Sequence, residues 1–400
     1  MPRRAPAMSR TAFTILLAAA MAVATFAGPA FAVLARFIID ELALTRAEFG
    51  WIVASFSTVG ALASPAVGRL TDSIGGRKAL AAIFILCGTG MLAIASGPTY
   101  LWLIAAAVLS GFGQAFGNPG TNKLISVHIP IGQRGAITGW KQSGVQAGVF
   151  LAGMLLPTGA LAWGWRPTMA IAGAFSLLTV GVVGFVVPPD PPRTPGPRAS
   201  RRLIWSAPIV WLTFYGFLMG AAGGAVYAYV PLYGEEGLGL SVAVAGSVAG
   251  LAGLVAFFSR VIWARHSEKR ASYIRSLILI AGLSVVFTGA LLAASEWGSW
   301  LLWVGALGLG ASSTSWNSVG MLALMVYAGE DQAGGASGVV LFGFLAGLGL
   351  GPPAFGWSVD RFDNYGPGLW SVVAVFLIAT VLALSWRRST KRADAEPAVA

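Results

Sequence analysis

The sequence predicts an all-α integral membrane fold: twelve transmembrane helices in two pseudo-symmetric six-helix bundles, with both termini cytoplasmic. Three observations predict it. The chain is too apolar for a soluble domain, with 56% of its 400 residues hydrophobic, only 10% charged and a mean hydropathy of +0.75; a soluble fold needs a charged surface. A bilayer core takes roughly 20 apolar residues per helix, and on that ruler twelve apolar runs succeed one another. One solvated linker divides the runs six and six, and two glycine-rich segments half a chain apart resemble each other.

The first run, centred near Ala24, follows Arg3, Arg4 and Arg10. It is longer than the apolar stretch of about 7 to 15 residues in a signal peptide, and further spans follow, so it reads as a retained first helix. The next five runs centre near Ser57, Gly88, Ser110, Phe150 and Phe175. Then comes VVPPDPPRTPGPRASRR, residues 186–202, whose prolines and arginines describe a linker in water. The remaining runs centre near Gly220, Leu251, Leu283, Leu309, Leu345 and Val375. The expected domains are therefore a first bundle over 1–188, a cytoplasmic linker over 189–206, a second bundle over 207–388 and a cytoplasmic tail over 389–400.

RGAITGWKQSGVQAG (134–148) and GGASGVVLFGFLAG (334–347) match Gly135 with Gly334, Gly139 with Gly338, Gly144 with Gly343 and Gly148 with Gly347. A spacing of half the chain is what a duplicated six-helix unit leaves. Glycines every four or five residues also serve close helix packing by themselves.

The net charge of +11 is topological. With the N-terminus inside, only Arg36, Arg46, Arg166 and Arg361 of the 26 basic residues fall outside, which obeys the positive-inside rule and leaves no basic face for nucleic acid. The single cysteine, Cys87, cannot form an internal disulfide. Two histidines, His128 and His266, without HExxH or paired-Cys spacing give no metal site. No cofactor is expected, and an intramembrane enzyme would need a His, Asp or Ser constellation at membrane depth that the sequence does not offer.

Between the second and third runs lies GRLTDSIGGRKAL, residues 68–80. Gly68 and Gly75 permit a tight turn, Asp72 suits a helix N-terminus or a neighbouring cation, and Arg77 with Lys78 stays in water. The segment resembles the Gly-x-Leu-Ala-Asp-Arg-x-Gly-Arg-Lys signature of the major facilitator superfamily through Gly68, Leu70, Asp72, Gly75 and Arg77; Ser73 and Gly76 replace basic residues. The resemblance implies two bundles that rock about a midplane cavity lined by helices 1, 4, 7 and 10, with Asp72 a conformational latch. In the second half, SRVIWARHSEKR (259–270) resembles the Gly-Arg-Ile-x-Trp-Gly-x-Leu-Ser-Asp-Arg loop of oxalate/formate-type and monocarboxylate-type carriers through Arg260, Val261, Trp263, Ala264, Ser267 and Glu268. That resemblance implies that Arg260 engages a substrate carboxylate, which suits the donor fork of a guanidinium; Glu268 joins the gating set. Arg260 can equally snorkel to headgroups or form a structural ion pair. Where such carriers often place a proton-carrying aspartate, one turn earlier, this chain has Ala256.

Helix 4 carries GFGQAFGNPGTNK, residues 111–123, in which Gln114, Asn118 and Asn122 recur every four residues on one stripe. Gln114 and Asn118 are candidate substrate contacts; interhelical hydrogen bonding is the plainer use of such amides. Helix 10 contains ASSTSWNSVG, residues 311–320, where Trp316 offers an aromatic wall and Asn317 an amide, and helix 7 adds Tyr227 and Tyr229, which toward the outer end of that helix can equally be interfacial belt aromatics. Two fates are open to Lys141, about one turn inside helix 5. Its stem can reach the headgroups, or it can face the cavity with Gln142 or Gln146 nearby and attract an anion. A glycine-proline motif like that of drug antiporters falls in helix 11, Gly343 to Pro352, and not in helix 5 where those exporters carry it.

The expected function is secondary active transport of a small solute, an organic anion such as a carboxylate, by a monomer in membrane lipid, with or without a coupling ion. Export of amphipathic drugs, permeation of a neutral solute, and a receptor or scaffold that transports nothing are the alternatives.

Overall fold

The computed structural model describes residues 9–130, 134–188, 206–270, 272–328 and 333–395. Apart from Ser206, the expected linker lies outside them. Hydrocarbon gives backbone polar groups no partner, so each apolar run must satisfy its own, and it does so as helix. Fourteen α-helices follow in order among the described residues: α1 (Arg10–Thr25), α2 (Ala27–Leu42), α3 (Arg46–Ile74), α4 (Gly76–Ser96), α5 (Tyr100–His128), α6 (Arg134–Trp163), α7 (Trp165–Val186), α8 (Ala207–Leu232), α9 (Val242–Lys269), α10 (Tyr273–Trp297), α11 (Trp300–Ala311), α12 (Trp316–Ala328), α13 (Ala333–Phe362) and α14 (Tyr365–Ala395). A π turn, Tyr233–Gly237, extends α8, and a 3-10 turn, Ser313–Ser315, separates α11 from α12.

Among the described residues, ten helical segments are long and apolar enough to cross a membrane, and α1 with α2, bent by 43°, adds an eleventh when the pair is taken as one span. The remaining apolar run, expected as one helix near Leu309, is the interrupted pair α11 and α12.

Helix ends follow local chemistry. Ser9, Thr99 and Ser241 each accept from the backbone N–H three residues on, at 3.3–3.4 Å, the usual N-cap. Gly75 turns α3 into α4 with φ of 90°, a conformation that a Cβ would strain. The expectation of a turn using both Gly68 and Gly75 is corrected at Gly68: α3 runs unbroken through it to Ile74, so one left-handed residue suffices.

The chain forms two compact units. Unit 1 comprises Met1–Leu44 and Ser55–Ser200; unit 2 comprises Thr45–Ala54 and Arg201–Ala400. Inside unit 1, α4 packs against both α5 and α7, and α1 packs along α6. A Cβ on Gly144 of α6 would overlap the Ala18 carbonyl oxygen of α1, and one on Gly148 would meet that of Ala22 at 3.1 Å. Inside unit 2, α13 packs along α8 by the same device. A Cβ on Gly347 would overlap the Phe217 carbonyl oxygen, and one on Gly343 would meet that of Thr213 at 2.6 Å. Lipid supplies no hydrophobic drive between helices, so backbone approach of this kind supplies the contact instead. The surroundings of the other matched glycines, Gly135, Gly139, Gly334 and Gly338, fall outside the described residues.

Three of the four arginines expected outside have carboxylate partners. Arg36 lies 3.6 Å from Asp40, Arg166 lies 2.7 Å from Glu41, and Arg46 lies 2.9 Å from Glu236. In unit 2, Asp360 of α13 caps the start of α3, accepting from the backbone N–H of Arg46 at 2.9 Å and of Ala47 at 2.7 Å. The Tyr365 hydroxyl donates to Glu236 at 2.6 Å. A cavity of about 340 Å³ opens beside this cluster, lined in part by Arg46, Glu236 and Tyr365.

Candidate functional site

In unit 1 the site is built by α5 and α6. Lys141 of α6 is 1% exposed. Its ammonium donates to Asn118 Oδ1 at 3.1 Å, Thr121 Oγ1 at 2.9 Å and Asn122 Oδ1 at 2.5 Å. The snorkelling fate is therefore corrected. Three acceptors one turn or less apart on α5 draw the ammonium inward, and a lysine so supplied has no need of the headgroups. Thr121 donates its own hydroxyl proton to the Gly117 carbonyl at 2.5 Å, which leaves its lone pairs to the lysine. All three described partners of Lys141 are neutral, so its positive charge is solvated but not cancelled. Asn118, Asn122 and Gln142 are exposed. Gln114 is half-buried, and its Oε1 lies so close to Gly60 of α3 that a Cβ there would overlap it.

In unit 2 the site is built by α9 and the broken joint between α11 and α12. The break has a local cause. Three successive hydroxyls bond back to carbonyls one turn earlier: Ser312 to Gly308 at 2.8 Å, Ser313 to Leu309 at 2.9 Å and Thr314 to Gly310 at 2.7 Å. Hydroxyls used this way compete with the helix ladder and bend it. Carbonyls at the joint also accept from side chains of α9. Ser259 Oγ donates to Gly310 at 3.1 Å, Trp263 Nε1 to Ala311 at 2.9 Å and Arg260 Nε to Thr314 at 3.1 Å. Irregular backbone at membrane depth is tolerated where protein satisfies it in this way. The Tyr227 phenol of α8 lies within electrostatic reach of the Arg260 guanidinium, so these two candidates share one neighbourhood.

Trp316 is placed otherwise than expected. At 2% exposure it is enclosed by Tyr215 and Phe344, with ring centroids 6.0 and 5.2 Å away, and it packs over Gly216 and Gly320. It is a packing residue in this structure and offers no open wall. Asn317, next to it, is half-buried.

The loop residues separate by role. Asp72 pairs with Lys123 of α5 at 3.1 Å. Arg77 Nη2 donates to the Gly184 carbonyl at 2.8 Å, near the C-terminal end of α7, where a cation is favoured. Gly75 makes the turn, and Gly68 has nothing within 4 Å of an added Cβ. Glu268 is exposed in the last turn of α9.

Sequence reasoning left out Thr121 and Asn122 as lysine partners and the Thr314 carbonyl as an arginine partner. The four-residue stripe on helix 4 pointed to Asn122. Nothing in residue identity pointed to a main-chain oxygen. Glu235, which falls in the π turn that extends α8 within an apolar span, is 4% exposed; the sequence gives it no sign of burial.

Residues 15–342 match the family model described as Major Facilitator Superfamily. Among curated relatives, the Mycobacterium tuberculosis protein named "Probable nitrate/nitrite transporter NarK2" is 29% identical over 364 residues, covering 85% of this chain and 87% of its own length. The hexuronate transporter of Bacillus subtilis is 24% identical over 396 residues, covering 89% of this chain and 87% of its own. Among solved structures, a bacterial homologue of the human lysosomal transporter Spinster superposes with a TM-score of 0.76 at 17% identity, covering 94% of this chain and 96% of its own. That likeness speaks to the fold alone. With a family match over most of its length and the helical spans that such a match requires, the chain belongs to the major facilitator superfamily and is a multi-pass membrane transporter rather than an enzyme.

Proposed function

We propose that the protein carries a small organic anion, a carboxylate, across the membrane by alternating access. The observation that carries this reading is the charge on Lys141, a cation 1% exposed whose three described partners are all neutral. An ammonium at the centre of a membrane helix costs about 2.5 to 3.5 kcal/mol on insertion scales, and less near the helix end where Lys141 lies. A site that keeps such a charge uncancelled favours a solute of opposite sign. Arg260 supplies a second cation, and its planar fork suits a carboxylate better than a neutral solute.

Gln114, Asn118, Gln142, Tyr227 and Asn317 are the polar contacts of the proposal. Gly68, Asp72, Gly75, Arg77 and Glu268 act on conformation and not on the solute, and the pairing of Asp72 with Lys123 supports that division for Asp72. Relatives named for nitrate/nitrite and for hexuronate, both anions, add support.

The test is a flux screen in proteoliposomes with monocarboxylates, dicarboxylates, sugars and cationic drugs, with and without a pH gradient. Uptake of a carboxylate is the expected result. Flux of sugars or cationic drugs with none of any carboxylate would overturn the proposal.

A further inference from the structure

The donors that face an anion in unit 1 follow from a constraint on Lys141. An ammonium donates three protons and accepts none. Here three acceptors lie at 2.5–3.1 Å, one for each proton: Asn118 Oδ1, Thr121 Oγ1 and Asn122 Oδ1. Lysine is thus fully engaged. The same fact fixes both carboxamides, because an amide nitrogen turned toward Nζ would set donor against donor. With each oxygen held by the ammonium, each NH2 group is turned away from it.

Asn118 and Asn122 are one helical turn apart on α5, so their side chains are neighbours on one face. Both are exposed. The pair lies toward the His128 end of α5, Asn122 three residues before the end of the span Tyr100–Ile125, where exposed amides are open to water. The ammonium behind them withdraws electron density and leaves the cluster with a net positive charge. Two outward NH2 groups before a fixed cation match an anion that carries two acceptor oxygens, as a carboxylate or nitrate does.

We infer that Asn118 and Asn122 form an anion-binding donor pair, and that Lys141 is the positioning residue that orients and polarises them and not a direct ligand. The inference rests on the proposed anion transport and adds Asn122 to the site. It also reverses the intuitive assignment, in which the charged residue touches the solute.

Asn118→Asp and Asn122→Asp separate this role from a structural one. Aspartate keeps an oxygen for Lys141 and gains an ion pair, so the α5–α6 contact is retained, while the NH2 donors vanish and the net charge is cancelled. Flux of acetate and of nitrate into proteoliposomes is measured with full-length wild type and each variant, alongside thermal melting in detergent. Each variant is expected to raise the KM for the anion that wild type carries by on the order of tenfold or more, with melting temperature unchanged or raised. Lys141→Met, which frees the amides to turn, is expected to raise KM as well; Lys141→Arg, which keeps donors facing the oxygens, is expected to recover part of the loss. The two anions distinguish a carboxylate from an inorganic oxyanion as the solute. Wild-type protein that moved no anion would sink the proposed function and this inference with it. Wild-type flux together with unchanged KM in both aspartate variants, or a lowered melting temperature with unchanged KM, would overturn this inference alone.

Discussion

Unit 1 and unit 2 share a packing device but not a polar site. In each, a glycine stripe brings one helix onto the backbone of another, α6 onto α1 and α13 onto α8, and the glycines involved are matched in sequence. At the position matching Lys141, unit 2 has Val340, fully buried. Its candidate cation is Arg260 instead, on α9, and one acceptor of that guanidinium is the Thr314 carbonyl of a broken helix, where Lys141 has side-chain amides. The matched glycines thus hold helices together in both units, while the polar groups around them differ. The physical reason is that backbone contact tolerates few residue types, whereas a cation can be solvated by any well-placed oxygen.

That contrast can be broken first at the cations. Arg260→Gln keeps an N–H for the Thr314 carbonyl but removes the charge, so anion flux should fall by on the order of 100-fold or more while folded protein still reaches the membrane. Flux within a factor of two of wild type would show that unit 2 contributes packing alone. The shared device is tested next. Gly144→Ala and Gly347→Ala each drive a methyl into a backbone carbonyl of the neighbouring helix, and each should cost about 1–3 kcal/mol, seen as a lowered melting temperature in detergent. Gly68→Ala meets nothing within 4 Å and should stay within about 0.5 kcal/mol of wild type. Equal behaviour of all three would remove the matched glycines as the common scaffold. A smaller loss than at Gly144 or Gly347 is expected at Asp360→Ala, which strips the cap from the start of α3 and should cost about 0.5–2 kcal/mol, with anion KM unaltered.

Much of the fold was legible because bilayer physics is a strict code. A run of apolar residues long enough to span must be helix, whatever surrounds it, and Pro- and Arg-rich sequence marks where the chain returns to water. The site was less legible, since side-chain direction depends on other helices. A lysine one turn inside an apolar run reads alike whether its stem goes out to headgroups or in to Asn118, Thr121 and Asn122; the acceptors on α5 decide. Trp316, among serines and an asparagine, read as an accessible wall, but Tyr215 and Phe344, distant in sequence, cover it. The hydroxyl run at Ser312–Thr314 was visible as polarity. That carbonyls at this joint would meet Ser259, Arg260 and Trp263 depends on the register of α9.

The central claim is that the buried charge of Lys141, with Arg260 as a second cation, selects an anion. Competition in proteoliposome counterflow tests it most directly, with a labelled monocarboxylate inside and unlabelled nitrate, dicarboxylate, neutral sugar or cationic drug outside. Only the anions are expected to drive exchange. Exchange driven by the sugar or the cationic drug, with none driven by any anion, would contradict it.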